Sequence, residues 1–317
     1  MRAAPAPLCE APFSLPDSAP PLSMLSPGDL YAIGAGFFWS FSVILMRISG
    51  FTIPPLPLTF FKSFVAIIGF VVVLLCVGDP LFPAYDGMTW LRLVVSAVLG
   101  ISIADTLFAA ALNRLGASLQ ALADCIYAPS VAFVGFLLFG EGMTAWELIG
   151  GALVISGVFV GLVKTKEIDD PRDLLVGTLL AAGSHVIMAL GILMVRDVIR
   201  EGSLVWIAAF RFIVATAALG LFALARGQKD VITMGFVRRD TWKHTIPMAL
   251  LGPFLATLFW IAGFKYETPG RVAIYNQMST VFIILLAWLV LKERMTTRKL
   301  TGVALAIAGA LLVARGG

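Results

Sequence analysis

The stretch Glu141–Gly157, EGMTAWELIGGALVISG, and the stretch Glu293–Gly309, ERMTTRKLTGVALAIAG, are one segment written twice, 152 residues apart. Glu141, Met143, Thr144, Leu148, Gly150, Ala152, Leu153, Ile155 and Gly157 return as Glu293, Met295, Thr296, Leu300, Gly302, Ala304, Leu305, Ile307 and Gly309. Upstream, the same ungapped offset sets Trp90, Leu99, Gly100, Ala104 and Ala110 on Trp242, Leu251, Gly252, Ala256 and Ala262. An offset of 149 sets Phe61-Lys62 on Phe210-Arg211 and Val65-Ala66 on Val214-Ala215. Shared hydrophobicity alone does not keep register in this way, so the chain is a unit repeated.

Outward from these segments, apolar runs alternate with short polar breaks. Spans are expected near 30–49, 56–77, 91–112, 117–139, 145–163, 174–195, 203–225, 244–265, 270–290 and 297–314. About 20 mostly apolar residues cross a bilayer, which makes this an all-α membrane protein of ten transmembrane helices. Residues 30–163 form the first five-helix repeat and 174–314 the second. An odd number of helices per unit makes the second copy enter from the opposite face, so the repeats are inverted. Inverted repeats support alternating access, because exchanging the conformations of the halves turns an inward-open cavity outward. Residues 1–29, rich in Pro and Ala with no long apolar core, are expected to be a disordered tail and not a secretion signal.

Composition narrows the class. Only 13% of the 317 residues are charged, against about 25% in soluble domains, and 59% are hydrophobic. The net charge of +4 is spread over short loops and forms no basic stripe, which argues against a nucleic-acid partner. Continuous apolar runs exclude an outer-membrane barrel, whose strands alternate. Cys9, Cys76 and Cys125 imply no disulfide framework. The chain lacks HExxH and Gly-x-Ser-x-Gly, and its two acids Asp105 and Asp124 stand outside the contexts of a membrane aspartyl protease, so no enzyme and no cofactor is expected. A channel or a non-transporting receptor is the alternative to a transporter.

The sequence resembles the drug/metabolite transporter superfamily, EamA type. The residues that carry the likeness are Gly140-Glu141-x-Met143-Thr144 with Leu148 and Gly150, their copies Glu293, Met295, Thr296, Leu300 and Gly302, Pro129 in the fourth span, and the Phe61-Lys62 and Phe210-Arg211 pairs. The second copy departs from the pattern at Val281, in place of the proline, and at Lys292, in place of Gly140. The resemblance implies a cell (inner) membrane transporter of a small metabolite, such as an amino acid, a nucleotide-related molecule or a drug-like compound. It implies movement by proton coupling or exchange, with export as the expected direction and both termini cytoplasmic. Lys and Arg number about seven on that assumed inner side and fourteen on the other, the reverse of the positive-inside rule.

An ionisable group inside a span costs about 2.5–3.5 kcal/mol even on insertion scales, so each is a functional candidate. Here they are Lys62, Asp105, Asp124, His185 and Arg211. Asp105 and Asp124 each lie about 10 Å from the connection between the third and fourth spans at 1.5 Å per residue, and Lys62 enters from the same side. One ammonium and two acids are thus expected in one layer. Either Lys62 neutralises an aspartate, or an acid carries a proton, or an acid meets a cationic group of the substrate. Gln120, Asp124 and Tyr127 share one helix face. The second copy has Thr257 and Asn276 where the first has Asp105 and Asp124. Arg211 is either satisfied by carbonyls or holds an anionic substrate group, and His185 is either a packing residue or a proton relay. Trp39, Tyr127, Trp260 and Tyr275 are candidates to wall a cavity. Small residues at Gly157, Gly161, Gly302, Ala306 and Ala310 allow close packing, either within the chain or across a homodimer.

Overall fold

A computed structural model describes residues 26–78, 82–140, 142, 144–162, 168, 170–267 and 269–316. Among these residues every element is helical, and ten long helices follow in order. They are α1 (Pro27–Ser49), α2 (Pro55–Val77), α3 (Gly87–Leu115), α4 (Ala117–Phe139), α5 (Ala145–Leu162), α6 (Pro171–Leu193) and α7 (Leu204–Ala225). Trp242–Ala249, Leu250–Ala256 and Thr257–Tyr266 run on as α8, followed by α9 (Pro269–Leu289) and α10 (Thr297–Gly316). Short helices Arg196–Glu201 and Lys229–Val237 flank α7. Seven of the described helices are long and apolar enough to cross a bilayer, and Ala145–Gly161 and Tyr275–Leu289 are shorter apolar stretches.

Helix α1 starts three residues before the expected span. Ser26 caps it: its hydroxyl accepts from Asp29 N at 3.1 Å, while its own N–H donates to the Asp29 carboxylate at 2.9 Å. With Pro27 at the first helical position, the orphan donors of the first turn are satisfied locally. The expected tail otherwise falls on residues 1–25, outside the described residues.

The internal symmetry extends to irregularities of the backbone. Helix α3 loosens to π geometry at Val98–Ile103 and α8 does so at Leu250–Ala256, which are equivalent positions of the two copies. The copies differ in the fourth helix of each. Pro129 has no N–H to give the Cys125 carbonyl, and α4 opens there, with Cys125 N and Ile126 N reaching back only three residues to Leu122 O (3.3 Å) and Ala123 O (3.0 Å). With Val281 at that place, α9 runs on without a break. The kink stands between Asp124 and Tyr127.

Packing follows a pseudo-two-fold: α5 lies on α10, α2 on α7, α1 on α8 and α9, and α6 on α3 and α4. Glycines of the repeated segment set the closest of these crossings. A Cβ on Gly150 would stand 2.5 Å from Gly309 O, and one on Gly157 would stand 2.6 Å from Gly302 O. The small-residue faces are therefore spent on each other within the chain, α5 against α10. Glu293, the repeated acid, closes a further link between the halves. Its carboxylate accepts from Ala117 N (2.8 Å) and Ser118 N (3.0 Å) and from the Ser118 hydroxyl, capping the positive end of α4. Buried Lys299 donates to Ser118 Oγ (2.7 Å) and Arg294 O (3.1 Å). The repeat mate of Glu293, Glu141, lies outside the described residues.

Candidate functional site

A cavity of about 180 Å³ lies at the centre, walled by α1, α2, α3, α4, α6, α7, α8 and α9. Among the described residues α5 and α10 give nothing to its lining, and they pack on each other and on α4 and α9. Of the residues singled out from sequence, Lys62, Asp105, Asp124, His185, Arg211, Tyr127, Trp39, Trp260 and Asn276 all line this one space, and Thr257 joins them. Gln120 is fully buried behind Asp124, and half-buried Tyr275 does not reach the cavity.

Both aspartates face the cavity, and each has its own partner. The Lys62 ammonium, 1% exposed, is hydrogen-bonded to Asp105 Oδ2. Asp124 Oδ1 instead accepts from Gln120 Nε2 at 2.9 Å, one helical turn back, and lies 2.9 Å from His185 Nε2. The reason is the crossing of α6 with α4, which delivers a side chain of the second half to the acid of the first. Spacing along the chain gives no hint of that meeting. Phe108 and Tyr127 stand edge-on to the imidazole with centroids 6.1 Å away, and Trp39 lies against Phe108 at 5.6 Å.

Arg211 is the other cation. It is 6% exposed, and its Nε has no hydrogen-bond partner among the described residues. Its Nε thus finds no backbone carbonyl, which was one of the two expectations for this residue. Its outer nitrogen passes the π segment of α3, where a Cβ on Gly100 would come within 2.9 Å of Nη2. Buried Tyr127 Oη, Gln277 Oε1 and His185 Nδ1 are likewise without partners among the described residues. Sequence reading missed Gln277, whose signal was an amide next to Asn276 in an apolar helix, and missed Lys299, a cation at the third residue of the last span. Among the described residues no group of His, Cys, Asp and Glu has the arrangement of a metal site.

Ten helices in two inverted copies, with a partly polar cavity lined by eight of them, define a multi-pass membrane protein. The model of the EamA-like transporter family matches residues 26–163 and 175–315, one match for each repeat. The chain belongs to the EamA-like transporter family, a family of membrane transporters of small solutes, not of enzymes. None of the curated proteins matches it. Among solved structures, 28 chains match. One of them, described only as a crystal structure of a protein, shares 17% identity over 90% of this chain and 95% of its own, with a TM-score of 0.64. At that identity the likeness is one of fold.

Proposed function

We propose that this protein is a secondary active transporter of a compact metabolite in the cell (inner) membrane, exporting its substrate by alternating access with both termini cytoplasmic. The observation that carries this reading is the cavity itself, built from eight helices of both repeats so that a rocking motion of one half against the other exposes it to either side in turn. A cavity of about 180 Å³ is below the range of about 300–1,000 Å³ usual for drug-sized ligands, and favours a small metabolite over a bulky drug.

In this reading Asp124 carries the coupling proton. Its Oδ1 is held by Gln120 and His185, so the carboxylate is positioned while the acid faces the cavity. The neighbouring groups that bear on its protonation are His185 from α6, Tyr127 from its own helix, the Lys62–Asp105 pair from α2 and α3, and Arg211 from α7. Intramembrane acids beside a histidine are recurrent parts of proton relays. Metabolite profiles of cells with and without overexpression identify the substrate. Proteoliposomes then test the coupling: Asp124→Asn keeps the hydrogen-bonding shape and is expected to abolish transport driven by a pH gradient while exchange of substrate for substrate survives. Driven transport at the native rate in the variant would refute the proton-carrier role.

A further inference from the structure

The cavity holds two cations and two carboxylates among its described lining residues, and their pairing is uneven. Lys62 is paired with Asp105, and Asp124 is held through its Oδ1 by Gln120 and His185. Arg211 makes no direct ion pair among the described residues, the Asp105 carboxylate acting on it only at longer range, and its Nε has no acceptor. A guanidinium is planar, stays charged, and offers five donors in a fork that fits a carboxylate through two parallel bonds. Leaving such donors unmet inside a protein costs more than leaving a neutral group unmet. The acceptor that completes the site is then brought by the ligand. The phenol of Tyr127, also without a partner among the described residues, faces the same space as a further donor. Beyond these groups the wall is largely apolar, with Trp39, Phe108, Trp260, Ile101, Met188 and Ile192.

We infer that the transported solute is a compact organic carboxylate, its carboxylate held by Arg211 with Tyr127 and its body lodged against the aromatic wall. This deepens the transport reading and rests on it for the word transported, while the binding claim stands separately. Gly100 is part of the same device, because only the absence of a side chain there leaves the guanidinium its place against α3.

The test is a binding experiment on the full chain in lipid nanodiscs at constant pH, read from the intrinsic fluorescence of the cavity tryptophans Trp39 and Trp260. The probes are benzoate, phenylacetate and hexanoate, each paired with its uncharged amide, and benzylammonium as the cation of similar shape. At least one carboxylate is expected to give a saturable change at a concentration ten-fold or more below its amide, with no response to benzylammonium. Arg211→Lys keeps the charge but loses the fork, and is expected to weaken that carboxylate about ten-fold. Arg211→Gln should erase the preference over the amide, and Gly100→Ala should weaken it several-fold without changing any charge. Arg226→Gln, on the exposed end of α7, should leave it unaltered. An amide equal to its acid, a response to benzylammonium, a preference that survives Arg211→Gln, or silence towards every carboxylate each overturns the inference. If Arg211→Gln does not fold, the wild-type probe series and Arg211→Lys still decide. Flux in proteoliposomes separates the two claims: a carboxylate that binds and is not carried removes the transport reading alone, and flux of a neutral or cationic solute without carboxylate preference removes this one alone.

Discussion

Lys62 is buried and Asp105 largely so, on adjoining helices and bonded to each other, and in low dielectric neither charge is stable without the other. Removing one partner of a buried pair strands the second at about 3–5 kcal/mol, whereas replacing both by apolar groups is often nearly neutral. Lys62→Met alone is therefore expected to lower the midpoint of thermal unfolding in detergent sharply, and Lys62→Met with Asp105→Leu to restore most of the loss. A double variant no better than the single one would show that Lys62 is held for something other than Asp105. His185 stands differently. Its Nε2 is on Asp124 and its Nδ1 is buried without a partner among the described residues, so His185→Gln, which can still donate one bond, is expected to fold. The same change should shift the pH profile of transport if the imidazole takes part in the relay, and a fixed profile would leave it a packing residue.

At the scale of elements, the crossing of α5 on α10 and the capping of α4 are the two contacts that a single substitution should break. Without a hydrophobic drive between helices in lipid, close approach of backbones at small residues supplies the association. Gly157→Val places methyl groups where Ala306 N and Gly302 O already stand at 2.6 Å from the Cβ position. The helices have to part, and a loss of monodisperse protein in size-exclusion chromatography is expected, with Gly151→Ala, whose Cβ would only touch Pro129 at an ordinary 3.5 Å, as the tolerated control. Glu293→Ala leaves Ala117 N, Ser118 N and the Ser118 hydroxyl without their acceptor. Unmet buried donors cost about 1–3 kcal/mol each, so a clear fall in thermal stability is expected, partly recovered in Glu293→Gln. Both elements announce themselves in the sequence as the repeated Glu, Gly and small residues, but neither partner is named there, because contacts between segments 150 or more residues apart leave no local periodicity.

At the scale of the whole molecule, two inverted copies predict opposite faces for the two connections that repeat, and orientation becomes a matter for one experiment. A fluorescent reporter that matures only in the cytosol, fused after Gly317, is expected to light up, and an alkaline phosphatase fused there to stay inactive; the reverse result would place the fourteen basic residues of the other face in the cytosol. The fold itself was legible without coordinates. Continuous apolar runs of spanning length specify helices in a bilayer, because a helix satisfies its backbone polar groups within the segment, and the repeat with five spans in each copy specifies the inversion. The cavity-lining identities were legible for the same energetic reason, since Lys62, Asp105, Asp124, His185 and Arg211 are too costly in lipid to face it. What only the tertiary structure decided is how those groups are shared out. Pairing depends on helix crossings and on breaks such as the one at Pro129, so it took the meeting of α6 with α4 to give Asp124 to His185. Lys62 went to Asp105, and Arg211 was left facing the cavity with no partner for its Nε.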